Sequence, residues 1–578
     1  MSTPSMMESG LPEAAILQMR PASLVMDLER LGSLHQSRLS FMRSLVRRIM
    51  RERWQIEAQR FELDADGYGT VIYRIRTRGD LFSFVLFSQY LAPEKRNDRV
   101  IASEWDLTMA LCEGDVDNAY VDYLRQNVPL QEAGRLDAKV MVLSRANRSM
   151  RNFDSVVDAL ARGEQPEIAR IAQVGYLYRT TAVYGSGKLG MADWEKVRRK
   201  HPDFARPFSA EMFTCFMLRN FSLQQAEHIA RRRSPTTAVP FEPTIKRYFG
   251  IGNSTGLGMA PYLINHPQLI SRWIEMRELA LARILASPAA PAELARVPKL
   301  VDRAIRHIEE TFTEDEWQTG NNQRVLADLR ALHDWLGAHP LENWQVLQDW
   351  ALGHASLQGQ ELINCILLEL YPELVDELED RLALPEQFQL QPEMSAQQLQ
   401  ALIETKYDWA LAIDFDADGA QETFWYRSEE KQEPRLGNCS LDEGREKQMP
   451  LGIGYLVQQC HRQLTNYLAQ YPQHKVARFL LCHPEQRSIV RRIQGMATTH
   501  YGEIRANLLD RDVLPMHLLR CKLSFFGVSK FDPRSRLWVR NTMFQGAPVL
   551  EDIGQPFDDD WFLPLAPTQE KIHADFRQ

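Results

Sequence analysis

Two glycine-rich segments carry the residue types best suited to binding an anion. The first consists of Tyr184, Gly185, Ser186, Gly187 and Lys188. Its glycines leave backbone N–H groups accessible beside a positive charge, which suits a phosphate or a carboxylate. It is not a Walker A loop, because Leu189 stands where that motif needs Ser or Thr. The alternative interpretation is a flexible turn before the next helix.

The second glycine-rich segment spans 250–258 and precedes a predicted helix. Its candidate ligand-binding residues are Gly252, Asn253, Ser254, Thr255 and Gly256. Amide donors and small hydroxyls at a helix N-terminus favour an anion. A capping loop is the alternative, since Asn, Ser and Thr are also preferred cap residues. The segment holds more glycines and more such residues than capping requires, which favours a binding loop.

A third candidate segment follows an apolar run and contains Arg145, Asn147 and Arg148. Arginine binds carboxylates and phosphates through two parallel hydrogen bonds. These residues could therefore clamp the same anion. Exposed arginines at the start of a helix are the alternative.

Candidates for proton transfer are His228, His266, Glu429 and Glu430. The two histidines lie near the glycine segments in sequence and could act as general bases at neutral pH. The two glutamates follow three aromatic residues at 424–426, which could exclude water and so make a carboxylate useful as an acid or base. Structural histidines and a solvated charge run are the alternatives.

No metal site and no specific cofactor is predicted. The 14 histidines include no H-E-x-x-H, and the seven cysteines include no C-x-x-C. The Asp414–Gly419 stretch starts like a calcium loop, but Trp425 occupies the position of the bidentate Glu. The formal net charge of -8 argues against a protein dominated by nucleic-acid binding.

The elements that must position these residues are mixed. A basic amphipathic helix is predicted over 41–54, a β-meander over 60–91 and a further strand near 136–144. Helices dominate 154–385. Strands are predicted at 407–415 and 422–428, and a hairpin within 522–544 turns at Lys530–Pro533.

The sequence therefore predicts an α+β fold, predominantly helical, with small antiparallel sheet elements in the N-terminal and C-terminal regions. At about 150 residues per domain, 578 residues suggest several domains. We expect a disordered N-terminus at 1–20, an α+β domain at 21–153 and a helical domain at 154–290 carrying both glycine segments. A second helical domain at 291–390 and a C-terminal α+β domain at 391–578 complete the prediction.

The favoured function is a cytoplasmic enzyme acting on an anionic small molecule by metal-independent acid/base chemistry, as a lyase, isomerase or group transferase. An odd number of widely spaced cysteines favours a reducing compartment, and no apolar run is long enough to span a membrane. A homo-oligomer is possible. The first alternative is a metabolite sensor or scaffold that docks through the Arg-rich helix 41–54. A nucleic-acid-processing protein, suggested by Arg231–Arg233, is the second.

Overall fold

The computed structural model describes most of the chain, and all structural statements below refer to the residues that it describes. These are residues 18–95, 104–129, 137–185, 197, 199–206, 208–256, 267–379, 382, 389–417, 425–428, 434–436, 448–450, 452–505, 524–535, 538–556 and 561–567.

A nine-stranded sheet organises the described chain. Its strands in spatial order are β1 (Gln55–Leu63), β2 (Gly69–Arg76), β3 (Leu81–Ser88), β4 (Leu107–Glu113), β5 (Val140–Arg148), β6 (Tyr176–Gly185), β7 (Gly250–Gly256), β12 (Trp538–Met543) and β11 (Lys530–Ser535). Neighbouring strands are antiparallel except β6 and β7, which run parallel. A separate small sheet contains β10 (Gln448–Pro450), β8 (Trp425–Ser428) and β9 (Pro434–Leu436).

The helices fall into three runs along the chain. The first run precedes β7 and consists of α1 (Ala22–Val25), α2 (Leu28–Gly32), α3 (Phe41–Glu52), α4 (Asn118–Asn127), α5 (Phe153–Ala161), α6 (Ile168–Val174), α7 (Ser209–Arg233) and α8 (Pro243–Tyr248). The second consists of α9 (Pro267–Leu285), α10 (Pro291–Leu294), α11 (Val297–Glu309), α12 (Glu316–Ala338), α13 (Trp344–His354), α14 (Leu357–Leu370) and α15 (Pro372–Glu379). The third consists of α16 (Ala396–Lys406), α17 (Asp408–Leu411), α18 (Ile453–Gln470), α19 (Val476–Cys482) and α20 (Arg487–Gly495).

The predicted meander forms because its turns suit tight reversal between alternating apolar strands. Asp64 accepts hydrogen bonds from the backbone N–H groups of Asp66 and Tyr68, and Gly67 takes a positive φ of 81°. Alternate residues of β3 then face two different cores. Phe84 belongs to the main core, whereas Val85 belongs to a smaller one covered by α4.

We call the face packed against α7 the inner face and the opposite face the outer face. α7 is buried along most of its length, which explains why its sequence is apolar on nearly all sides. Tyr178 of β6 marks the inner face, since its hydroxyl donates to Gln225 of α7 at 2.9 Å.

The predicted fold class is wrong in the size of its sheet. Strands from both ends of the chain join one nine-stranded sheet, so the class is mixed α/β rather than helical with small sheet elements. The physical reason is that the C-terminal hairpin pairs with β7 and not with a local partner. The division into domains stays a prediction.

Three local predictions also need correction. Residues 408–411 of the strand predicted at 407–415 form the short helix α17. The C-terminal hairpin exists, but Lys530–Pro533 lie within β11 and the reversal comes after Ser535. Most of the second glycine segment, expected to be a loop, is strand β7.

Arg20 lies in the stretch expected to be disordered, yet it is held by ion pairs. It contacts Glu278 of α9 at 2.7 Å and Glu361 of α14 at 2.8 Å. Arg277 and Arg30 join the same buried cluster through Glu361, at 2.7 and 2.9 Å. These pairs fasten the start of the described chain to two helices that lie far away in sequence.

Candidate functional site

The strands that carry the described parts of the two glycine segments, β6 and β7, lie side by side in the sheet. Tyr176 of β6 pairs with Gly250 of β7, and Thr180 pairs with Asn253. Because β6 and β7 are parallel, their carboxyl ends reach the same edge of the sheet. Ligands of open sheets commonly bind beside the carboxyl ends of parallel strands. We call the region where β6, β7 and β12 meet the sheet join.

Gly252 permits the close packing found at the sheet join. A Cβ atom at this position would lie 2.5 Å from the ring of Tyr176, which is far too close. The glycine therefore serves a close approach within the sheet, as glycine often does inside a strand.

A row of buried polar side chains crosses the inner face of the join. The row consists of Ser144, Thr180, Asn253 and Asn541. Ser144 and Thr180 contact each other through their hydroxyls at 3.2 Å, and Asn253 pairs directly with both Thr180 and Asn541 in the strand register. Directly opposed residues in a sheet project to the same side. Four neighbouring strands thus contribute one polar group each to a largely apolar interior.

The asparagine pair is the unusual part of this row. Asn541 is 1% exposed, and neither its Oδ1 nor its Nδ2 has a hydrogen-bond partner among the described residues. Asn253 is 5% exposed, and its Oδ1 also has none there. A buried polar group without a partner costs about 1–3 kcal/mol, so each such group needs an explanation. A ligand that supplies the missing hydrogen bonds is one explanation.

The outer face of the join carries mostly positive side chains. Two adjacent rows of side chains on this face contain three arginines together with two residues of β11. They are Arg145 of β5, Arg179 of β6 and Arg540 of β12, with Lys530 and Asp532. Arg179 and Arg540 are buried, and the Arg145 guanidinium lies 4.0 Å from the ring centroid of Trp105. Such a cluster raises the electrostatic potential around the join.

The structure separates the three members of the predicted arginine clamp. Arg145 pairs with Ala182, close to Gly185, whereas Arg148 pairs with Tyr178 at the other end of β6. Gly185 pairs with Val142, which lies six residues before Arg148 on β5. At about 3.3 Å per residue, roughly 20 Å therefore separate Arg148 from the glycine segment. Asn147 is occupied locally, since its amide accepts from the N–H of Asp106.

Arg148 instead completes a buried network with the first turn of the meander. Its guanidinium donates to the hydroxyl of Tyr178 at 3.1 Å and to the carbonyl of Asp66 at 3.3 Å, and it lies over the ring of Phe153. Burial raises the pKa of Tyr178 to about 12, although Arg148 favours its ionised form. This arrangement indicates a structural role for Arg148.

His228 also contacts that turn and not the glycine segments. Its Nε2 lies 2.9 Å from the carbonyl of Asp64, and its ring packs against Phe61. The structure therefore does not bring it to the sheet join.

The remaining candidate residues are described incompletely or lie outside the described residues. Ser186, Gly187, Lys188, His266, Glu429 and Glu430 lie outside. The backbone alone is described for Tyr184, Gly185, Ser254, Thr255 and Gly256. Their proposed roles stay predictions.

Sequence reasoning missed Thr180, Arg179 and Asn541. A signal for the first two existed, because YLYRTTAV places a charge and two threonines inside an otherwise strand-like run. Asn541 carried no comparable signal, since only the pairing of β12 with β7 brings it beside Asn253.

No cluster of three or more metal-ligating side chains occurs among the described residues, and none of the described helices is long and apolar enough to cross a membrane. Comparison with known proteins found no matching family model, no similar curated protein and no similar solved structure.

Proposed function

We propose that the protein binds a small anionic molecule, carrying a phosphate or a carboxylate, at the inner face of the sheet join. The observation that carries this proposal is the buried Asn253–Asn541 pair. An amide N–H group donates to anion oxygens, and the amide Oδ1 atoms accept from hydroxyl or amine groups. A hydroxylated or aminated phosphate or carboxylate would supply both kinds of partner.

The surroundings of the pair support an anionic rather than a cationic ligand. The inner row offers hydroxyls from Ser144 and Thr180 and contains no carboxylate. Arg179, Arg540 and Arg145 lie on the other side of the same strands, where their charges favour a nearby anion at long range. Neutral donors would then contact the anion directly, while the cations on the opposite face favour its charge at a distance.

The enzymatic part of the proposal is metal-independent lyase, isomerase or group-transfer chemistry on the bound anion. It rests on His266, Glu429 and Glu430, which are sequence candidates for proton transfer. A cytoplasmic location belongs to the same proposal and is supported by free, buried thiols such as Cys112, Cys215 and Cys365.

The docking alternative has less support from the contacts of α3. Arg43 is buried and bonded to Glu369 at 2.6 Å, and Arg47 and Arg48 pair with Asp376 and Asp203. These three arginines hold the fold together.

A thermal-shift panel tests the proposal. The probes are inorganic phosphate, pyrophosphate and citrate, with uncharged glycerol and glucose as controls. An anion at about 100 times its dissociation constant should stabilise the protein by about 2.7 kcal/mol. We expect at least one anion to raise the melting temperature of the wild type, with a smaller rise in Asn541→Leu. Equal rises in both proteins, or no rise with any anion, would contradict the proposal.

A further inference from the structure

A cavity lies beyond the edge strand β11, apart from the sheet join. It has a volume of about 60 Å³ and is bounded by the segment between α2 and α3, by α11, by α12, by α14 and by β11. A site of this size has room for about four waters or for one small oxyanion. Five separate parts of the chain therefore converge on a space that side chains leave open.

Gln36 is the observation that indicates a ligand in this cavity. Its side chain lines the cavity and is 3% exposed, and neither its Oε1 nor its Nε2 has a hydrogen-bond partner among the described residues. A leucine at position 36 would fill nearly the same volume, and the same segment already buries Leu34 and Leu39. An unpartnered amide at such a site is costly unless something occupies the cavity.

Other amide side chains also line the cavity. Gln318 donates to the Oδ1 of Asn322 at 2.6 Å, which leaves the Nδ2 donor of Asn322 directed elsewhere. Asn322 and Gln358 both line the cavity. Together with Gln36 they supply amide N–H donors from three different elements.

The charges around the cavity favour an anion. Among the described residues that line it, Lys530 is a cation, whose Nζ donates to the carbonyl of Ala172, and none is acidic. His307 also lines it and donates from Nδ1 to the carbonyl of Pro564, 3.0 Å away. Burial, together with the positive charges of Lys530 and Arg303, lowers the pKa of His307 to about 4.

The geometry points to a second ligand site in which Gln36, Asn322 and Lys530 bind a small oxyanion, either a free inorganic ion or the carboxylate or phosphate end of a small metabolite. This site is independent of the sheet join, since it shares neither Asn253 nor Asn541. Two residues of β11 that line the cavity connect it to the join: Lys530 also belongs to the outer-face rows, and Phe531 pairs with Asn541 in the register.

Isothermal titration calorimetry with sulfate tests this inference on the full chain. The titration uses the Asn541→Leu variant, in which we expect binding at the sheet join to be weakened about tenfold or more. We expect sulfate to bind this variant and the additional change Gln36→Leu to weaken binding about tenfold or more. Because Gln36→Leu removes an unpartnered buried amide, the doubly changed protein should fold at least as well. The matched control is Gln345→Leu, which removes an exposed amide on α13.

Two results would overturn the inference. One is the absence of sulfate binding in Asn541→Leu, with acetate and phosphate also silent, which would mean that the cavity holds only water. The other is sulfate binding that Gln36→Leu leaves unchanged. Either result is separate from failure of the function proposed above, which would appear as equal anion binding in the wild type and Asn541→Leu. Tighter binding of a sugar phosphate than of sulfate would identify the ligand as a metabolite, whereas weaker binding would identify it as a free ion.

Discussion

Buried polar residues in this protein fall into two groups with opposite energetic consequences. Gln225 is fully used, since it accepts from Tyr178 and donates to the carbonyl of Gly67 and the hydroxyl of Ser88. Asn541 has no such partners among the described residues. A satisfied buried network stabilises a fold, whereas an unsatisfied amide destabilises it in the absence of a ligand. The two asparagines of the sheet join therefore have a cost that binding can offset.

This contrast predicts opposite effects of the same chemical change. Asn541→Leu, which keeps the approximate shape of the side chain, should stabilise the ligand-free protein by about 1 kcal/mol. Gln225→Leu should destabilise it by about 2 kcal/mol, because it strands the Tyr178 hydroxyl. Urea unfolding of both variants measures the difference. Loss of stability in both would mean that Asn541 has a partner inside the protein.

His307 predicts a dependence of stability on pH. Its pKa is about 4 in the folded protein, below the value of about 6.5 in an unfolded chain. As pH falls through about 6.5 the unfolded state takes up a proton first, so stability is lost between about pH 6.5 and about pH 4, by up to about 3 kcal/mol. His307→Gln, which can still donate to Pro564, should remove this part of the loss. Unfolding curves across this range would contradict the account if both proteins lost stability equally.

At the scale of elements, the parallel pairing of β6 and β7 is what creates the sheet join. It depends on Gly252, which leaves space for the ring of Tyr176, and on the short helix α8, which leads the chain back into register with β6. One side of the pair then faces α7 and the other carries the arginines. These two strands thereby position Asn253 and Arg179, and β12 adds Asn541 and Arg540 beside them.

Gly252→Ala tests this pairing. The added methyl group would collide with the ring of Tyr176, so we expect destabilisation by about 1–3 kcal/mol and weaker anion binding. The double change Gly252→Ala with Tyr176→Ala should cost less stability than the sum of the two single changes, because the smaller side chain removes the collision. Chemical denaturation of the single and double variants measures the coupling. Additive losses would show that the close approach is not the constraint.

Some of these elements could be predicted from the sequence, and others could not. The meander was predictable because Asp64 to Gly67 and Arg78 to Asp80 are turn sequences between alternating strands. The segment 407–415 was not, because a short apolar run fits a strand and a buried helix equally well. Strand β7 was missed because glycine indicates a loop more often than a strand, and only its tertiary neighbour shows why Gly252 is there.

At the scale of the whole molecule, segments that lie far apart in sequence meet at the same sheet. The Arg219 guanidinium of α7 donates to the carbonyls of Phe249, Arg247, Ala547 and Pro548, at 2.6 to 2.9 Å. It thereby links the central helix, the start of β7 and the segment after β12. Long-range pairing of this kind leaves no trace in local patterns, so one sequence could not predict the size of the sheet or the position of Asn541.

Arg219→Met tests this long-range connection. The change leaves four backbone carbonyls without their donor, and we expect a loss of about 3–5 kcal/mol. Burial lowers the pKa of Arg219 to about 9, whereas the nearby Asp552 and Glu551 favour its charged form. The matched control is Arg231→Met, an exposed arginine on the same helix, whose change should be within about 0.5 kcal/mol. Equal losses of stability in the two variants would contradict this role of Arg219.

The central claim is that the asparagine pair of the sheet join binds an anion, and dissociation constants test it most directly. The measurement is isothermal titration calorimetry with the anion that most stabilises the wild type, applied to Asn253→Leu, Asn541→Leu and the control Asn118→Leu. Asn118 is exposed on α4, far from the join in the sheet order. We predict that both join variants bind about tenfold or more weakly and that the control binds as the wild type does. Unchanged affinity in both join variants would contradict the claim.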